Sequence, residues 1–215
     1  MENKKLAVFA VEALELEYPK AECSLTYTDP LQLLIATRLA AQCTDKRVNM
    51  VTPVLFSHYK TVYDFAKADI KELEEDIKSC GLYKTKARDI IAMCDKLAKE
   101  YYGRVPDNID ELIKLPGVGR KTANLIVGDI FHKPAVVVDT HCIRITGRLG
   151  LHESKNPTKI EFILRDLLPL KKSNDFCHRL VMHGRIVCKA KSPNCYWCCL
   201  KSVCKYNREI NSKET

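Results

Sequence analysis

The chain has 215 residues, 46% of them hydrophobic and 29% charged, and its 35 Lys+Arg against 27 Asp+Glu leave a formal charge of +8. That length allows one or two compact domains, and the composition excludes a disordered chain, which combines low hydrophobicity with high net charge. No apolar run reaches the roughly 18 residues of a membrane span, and Met-Glu-Asn-Lys-Lys does not open a secretory signal, so no membrane partner and a cytoplasmic location are expected.

In chain order, residues 3–17 form a first amphipathic stretch that Tyr18-Pro19 ends. Asp29 is a good N-cap for a helix opened by Pro30 and carried by Leu31, Leu34, Ile35 and Leu39. A further helix follows Thr44-Asp45, with Pro53 predicting either a kink or a late start. An acidic helix is expected over 69–78, stopped by Cys80-Gly81, then a longer one over 84–102 ended by Gly103 and a short one over 109–115. From Lys121, the residues Ala123, Ile126, Val127, Ile130 and Phe131 recur at helical spacing on one face. Ile160, Ile163, Leu164, Leu167 and Leu168 repeat the pattern after Asn156-Pro157. The only strand-like run, Ala135–Val138, is too short to found a sheet. The fold class is therefore all-α, with a modest break at His132-Lys133-Pro134.

Eleven cysteines are unusual for such a chain. In a reducing compartment, clustered cysteines hold a metal and scattered ones behave as small core residues. Cys188, Cys195, Cys198 and Cys204 fall at C-x6-C-x2-C-x5-C spacing beside the only tryptophan, Trp197. Four such thiolates can close around zinc or around a cubane iron–sulfur cluster. Cys199, adjacent to Cys198, could replace it, whereas Cys23, Cys43, Cys80, Cys94, Cys142 and Cys177 read as core positions. The positive charge gathers in the same region: from Cys177 to Arg208 the bases Arg179, Arg185, Lys189, Lys191, Lys201, Lys205 and Arg208 meet no acid. A basic stretch of this kind favours an anionic partner.

A second basic feature is the turn Leu115-Pro116-Gly117-Val118-Gly119-Arg120-Lys121. Gly117 and Gly119 permit backbone conformations closed to other residues, so successive amides can point outward at the start of the next helix and take a phosphate. At 100° per residue Lys121 projects opposite the apolar face, beside Asn124 and Gly128, and out of its own domain. Arg120 at the exit makes phosphate contact more plausible than a bare helical corner.

LPGVGRKTAN, then VDTHCIRITGRLG, then HGRIVC, then the four-cysteine spacing strongly resemble the endonuclease III family of DNA glycosylases. The similarity begins at PLQLLIATRLAAQCTD near residue 30 and runs to the last cysteine. It implies a helix–hairpin–helix element, a bifunctional DNA glycosylase/AP lyase of base excision repair, and a [4Fe–4S] cluster on Cys188, Cys195, Cys198 and Cys204. The partner it implies is double-stranded DNA carrying oxidised or reduced pyrimidines or abasic sites, met by a monomer. Such enzymes act on a base flipped out of the duplex. The resemblance makes Lys121 the amine that attacks the sugar and Asp139 the carboxylate that stabilises positive charge on it. A lysine attacks only when deprotonated, which desolvation and neighbouring cations favour. On the residues alone, Asp139 is also a sufficient helix N-cap.

Gln42 and Leu82 match residues that in this family fill the gap left by the extruded nucleotide, as amides and apolar wedges can. Their other readings are a helix-end glutamine and a core leucine. His141 is expected to line the pocket, and Lys189 and Lys191 to meet phosphates. The family further implies two helical domains flanking a DNA-binding groove, residues 23–133 as a central helical domain and 1–22 with 134–215 as the cluster domain. A lysine at position 121 disfavours the adenine and thymine-mismatch glycosylases, and the cysteine set disfavours glycosylases for oxidised guanine. The competing class is a non-catalytic iron–sulfur DNA-binding redox sensor, against which the pair Lys121 and Asp139 argues.

Overall fold

A computed structural model describes residues 2–212 of the chain. Among the described residues there are α-helices, short 3₁₀ turns and loops, and no strand, as the periodicity leads one to expect. The helices are α1 (Glu2–Glu17), α2 (Pro30–Leu39), α3 (Asp45–His58), α4 (Val62–Ala66), α5 (Ile70–Asp76), α6 (Tyr83–Glu100), α7 (Ile109–Leu112), α8 (Arg120–Asp129), α9 (Thr140–Leu149), α10 (Pro157–Leu167), α11 (Ser173–Ile186) and α12 (Lys205–Asn211). None is long and apolar enough to cross a membrane.

The expected start signals operate. Asp29 is extended and its side chain accepts from the Gln32 amide, with Pro30 opening α2. Thr44 caps α3 at Asp45, so the helix does not start late; it runs through Pro53. Two features escape the periodicity. The five-residue α4 is too short to show a repeat, yet Thr61 and Asp64 close a reciprocal capping box around its first turn. At the other extreme, α8 ends at Asp129, so Ile130 and Phe131 fall beyond the helix they were expected to extend. Ala135–Val138 is buried and belongs to neither a helix nor a strand.

The chain divides into two compact units, Cys23–Phe131 and the flanking segments up to Glu22 and from His132 onward. In the first, α2 buries Leu33, Leu34, Ile35, Ala36 and Leu39, apolar nearly all round as befits a central helix. It packs on α3, α6 and α8, while α4 and α5 cover α6 and α7 covers α8. In the second unit, α11 packs on α1 and α9, and α12 returns onto α9. Phe176 and Leu180 of α11 meet a core that includes Ala10 and Leu14 of α1 and Ile145 and Leu149 of α9. Of the six cysteines expected in the core, Cys80, Cys94, Cys142 and Cys177 are buried. Cys23 and Cys43 are only half-buried, because they lie in connecting segments before α2 and α3 rather than on helix faces.

Candidate functional site

In the unit Cys23–Phe131, Leu115 and Val118 anchor a hairpin between α7 and α8 by burial. Gly117 between them has φ +73, and a Cβ there would lie 3.0 Å from both Arg38 Nε and Asp89 Cβ, so any other residue would be strained and would press on both side chains. Gly119 is the N-cap of α8; it is exposed, and no side chain caps the helix. The first amides of α8 therefore end in an open, positively polarised N-terminus suited to an anion. Arg120 is half-buried and its carbonyl accepts from Asn124 Nδ2 at 3.1 Å. Lys121 is exposed in the first turn, with Ala123, Ile126 and Val127 buried on the far side. Asn124 and Gly128, expected beside Lys121 on an open face, are buried too, because α2 and α7 both pack against α8. Only the first turn of that face is accessible.

Gln42 and Leu82 occupy two other loops of the same unit, and both are exposed, Leu82 by 54%. Leu82 is thus no core leucine. Both adopt the left-handed conformation, with φ 55 at Gln42 and φ 49 at Leu82. For residues with a Cβ this costs on the order of 1 kcal/mol each, so the surrounding structure must hold them there. Tyr102 and His132 share the conformation; Tyr102 leads into Gly103 at the end of α6, an ordinary helix stop. Between the segments that lead into Gln42 and Leu82 stands Lys86, fully buried, whose Nζ donates to Leu39 O at 2.7 Å and Cys80 O at 2.9 Å.

In the other unit, the buried run Val136–Val138 delivers Asp139 to the start of α9, where its Oδ1 accepts from the Cys142 amide at 2.7 Å. Asp139 is half-buried. His141, also half-buried, has Nδ1 3.1 Å from an Arg144 guanidinium nitrogen. Gly184 of α11 makes room for both: a Cβ there would collide with the His141 ring and stand 2.9 Å from Arg144.

The C-terminal cysteines line one small cavity, of about 20 Å³, to which Cys188, Cys195, Cys198 and Cys204 all contribute and Cys199 does not. Arg144 donates to Cys188 O at 3.0 Å and to Gly184 O at 3.3 Å. Arg148 donates to Cys188 Sγ at 3.3 Å and to Lys189 O and Ala190 O at 2.8 and 2.9 Å, and its guanidinium lies over the Tyr206 ring. His183, fully buried, spans from the Tyr18 hydroxyl at 3.1 Å to Cys198 Sγ at 3.4 Å. Burial lowers the His183 imidazole to about 4 and raises the Cys198 thiol to about 12. Both shifts come from desolvation, which disfavours the imidazolium and the thiolate alike. Among the described residues, no three His, Cys, Asp or Glu side chains converge tightly enough to hold a single ion.

Lys189 and Lys191 are exposed on this loop. Arg179, counted among its positive charges from the sequence, is buried instead; its Nε donates to Tyr18 O and its guanidinium meets Glu15. Sequence reasoning passed over Arg144, Arg148, His183 and Gly184. A signal existed for the arginines: they stand at i, i+4 in the helix that follows Asp139, and such a pair projects together from one face.

Residues 35–170 match the family described as HhH-GPD superfamily base excision DNA repair protein. Endonuclease III of Bacillus subtilis (strain 168) is 42% identical over 99% of this chain and 98% of its own length. Endonuclease III of Synechocystis sp. is 44% identical over 94% of this chain and 93% of its own. Among solved structures, a trapped endonuclease III–DNA covalent intermediate in an estranged-adenine complex superposes with a TM-score of 0.89 at 42% identity, covering 94% of this chain and 96% of that one.

Proposed function

Because the chain belongs to the HhH-GPD superfamily of base excision DNA repair proteins and matches endonuclease III along nearly its whole length, we propose that it excises oxidised or reduced pyrimidines from double-stranded DNA and cleaves the resulting abasic strand. The observation that carries this reading is the exposed amine of Lys121 in the first turn of an uncapped helix, behind a tight glycine hairpin in which Gly117 takes a left-handed φ. A covalent intermediate with DNA has been trapped in a related enzyme, and Lys121 is the amine that would form one here.

The α8 N-terminus, with Gly119 and Arg120, binds a phosphate of the damaged strand and sets the register of the duplex. Gln42 and Leu82 enter the space left by the extruded nucleotide, and His141 lines the pocket that receives it. Lys121 is exposed in the free chain, so the water exclusion that favours a neutral amine comes from bound DNA. Its Nζ attacks C1′ as the bond from C1′ to the base breaks; the base leaves with that electron pair and takes up a proton. Asp139 stabilises the positive charge on the sugar and moves the proton lost by the amine. The C1′–O4′ bond then breaks, O4′ taking up the proton that the amine lost, and the ring-opened sugar is left as an iminium on Nζ; loss of its C2′ proton expels the 3′ phosphate, a β-elimination that cleaves the strand.

Cys188, Cys195, Cys198 and Cys204 would hold a [4Fe–4S] cluster. The donor set fits it: four thiols border one cavity, the Arg148 guanidinium donates to Cys188 Sγ, and His183 Nε2 lies 3.4 Å from Cys198 Sγ. When bound, the cluster ties the ends of the loop together covalently and serves as a fold element. Arg148, by holding Lys189 O and Ala190 O, then fixes the backbone from which Lys189 and Lys191 meet phosphates.

The protein acts as a monomer in the cytoplasm, on the DNA there. The decisive measurement is incision of thymine-glycol and abasic duplexes by protein that contains iron and acid-labile sulfide. Cleavage of both is expected; binding without cleavage of either would leave the redox-sensor reading instead. A second measurement addresses the loop. Exchanging both Lys189 and Lys191 for Ala is expected to lower the slope of log affinity against log salt by about two, at roughly 0.9 per phosphate contact. An unchanged slope would mean that both lysines are merely solvated.

A further inference from the structure

We propose that Lys86 is a positioning residue for strand opening: its buried ammonium ties together the two loops that carry Gln42 and Leu82. The inference rests on the glycosylase reading above and deepens it.

Lys86 lies on α6, where a lysine ordinarily reaches water, yet it is fully buried. Its two bonds end on carbonyls at the stop of two separate elements, Leu39 O at the end of α2 and Cys80 O at the end of the 3₁₀ turn Lys78–Cys80. Such terminal carbonyls have no partner within their own helix and carry its negative pole, so one cation satisfies two chain ends at once. Three residues beyond Leu39 comes Gln42, and two beyond Cys80 comes Leu82, each exposed and each left-handed. Cys43, next to Gln42, also interacts with Cys80. Desolvation lowers the Lys86 pKa, the cost of placing a charge where an apolar side chain would pack as well. A burial of this kind serves the position of the groups it bonds, because two flexible loop tips gain a common, rigid floor. With that floor, Gln42 and Leu82 stand at a fixed separation before DNA arrives.

The test compares lyase rates on two substrates, an abasic duplex and the same abasic strand alone. Only the duplex has an orphan base whose neighbours must be filled. For Lys86→Met the duplex rate is expected to fall by up to about 100-fold, the scale on which a misplacement of about 1 Å acts, with the single-strand rate unchanged. A fluorescent 2-aminopurine opposite the abasic site is expected to lose the change that wild-type binding produces. Equal loss on both substrates would reduce Lys86 to a stability element, and no loss on either would remove it from the mechanism; both overturn the proposal. Should Met prevent folding, Lys86→Arg keeps the charge but cannot make both bonds without moving the carbonyls, and the same duplex-selective loss is expected. Wild-type protein inactive on both substrates would instead overturn the lyase reading and the inference with it.

Discussion

Lys121→Gln is expected to abolish the borohydride-trapped complex with abasic duplex while leaving DNA binding nearly intact. Trapping requires an imine, an imine requires a primary amine, and glutamine keeps a polar side chain of similar bulk, one bond shorter, without that amine. Fold is not at stake, because Lys121 is exposed and the groups that hold α8 in place, Ala123, Ile126 and Val127, lie behind it. Exposed substitutions of this kind shift stability by about 0.5 kcal/mol or less. Binding survives because the phosphate site is built from backbone: the hairpin glycines and the open N-terminus of α8 are unchanged. Loss of one positive charge lowers the salt slope by about one at most. Strand cleavage, by contrast, is expected to fall by about 10³ or more, the scale on which removal of a covalent nucleophile acts. A trapped complex of undiminished yield would show that another amine is the nucleophile.

How far this site could be read from the sequence depended on whether its chemistry is local. Asp29-Pro30 is a local signal and fixes the start of α2; the hairpin is another, since proline, two glycines and a following basic pair lie within seven residues. The capping box of Thr61 and Asp64 was equally local and was passed over only because α4 is five residues long. Arg179 and Lys86 are different. Each is a charged residue on an amphipathic helix, and nothing nearby in sequence announces that Glu15 and Tyr18 O will meet the one, or Leu39 O and Cys80 O the other. Their burial follows from where chain ends converge in three dimensions, so a count of basic residues misplaced Arg179 on the surface. The left-handed backbone of Gln42 and Leu82 escapes sequence reasoning for the same reason: neither is a glycine or an asparagine, and tertiary contacts hold what propensity opposes. His183 stood within a motif already noted, but its place between Tyr18 and Cys198 depends on α1 packing against α11.

Asp139 presents the harder separation, because one carboxylate serves a helix cap and a reaction at once. Its Oδ1 accepts from the Cys142 amide at 2.7 Å, and any loss of activity in a variant that breaks this bond can be blamed on a frayed α9. Two substitutions divide the roles. Asn caps about as well as Asp, so Asp139→Asn is expected to cost about 0.5 kcal/mol, mostly the loss of a negative charge at the helix start. Asp139→Ala removes the cap and is expected to cost about 1 kcal/mol. If the carboxylate stabilises the sugar cation and moves the amine proton, both variants lose about 10² or more in single-turnover rate, because neither retains a charge or a base. If Asp139 only caps, activity follows stability: Asn stays near wild type and Ala alone declines. Thermal melts run beside single-turnover lyase rates on an abasic duplex therefore decide the matter. The outcome that would remove Asp139 from the chemistry is an Asn variant whose rate stays within about threefold of wild type, far short of the loss that a missing acid–base group produces.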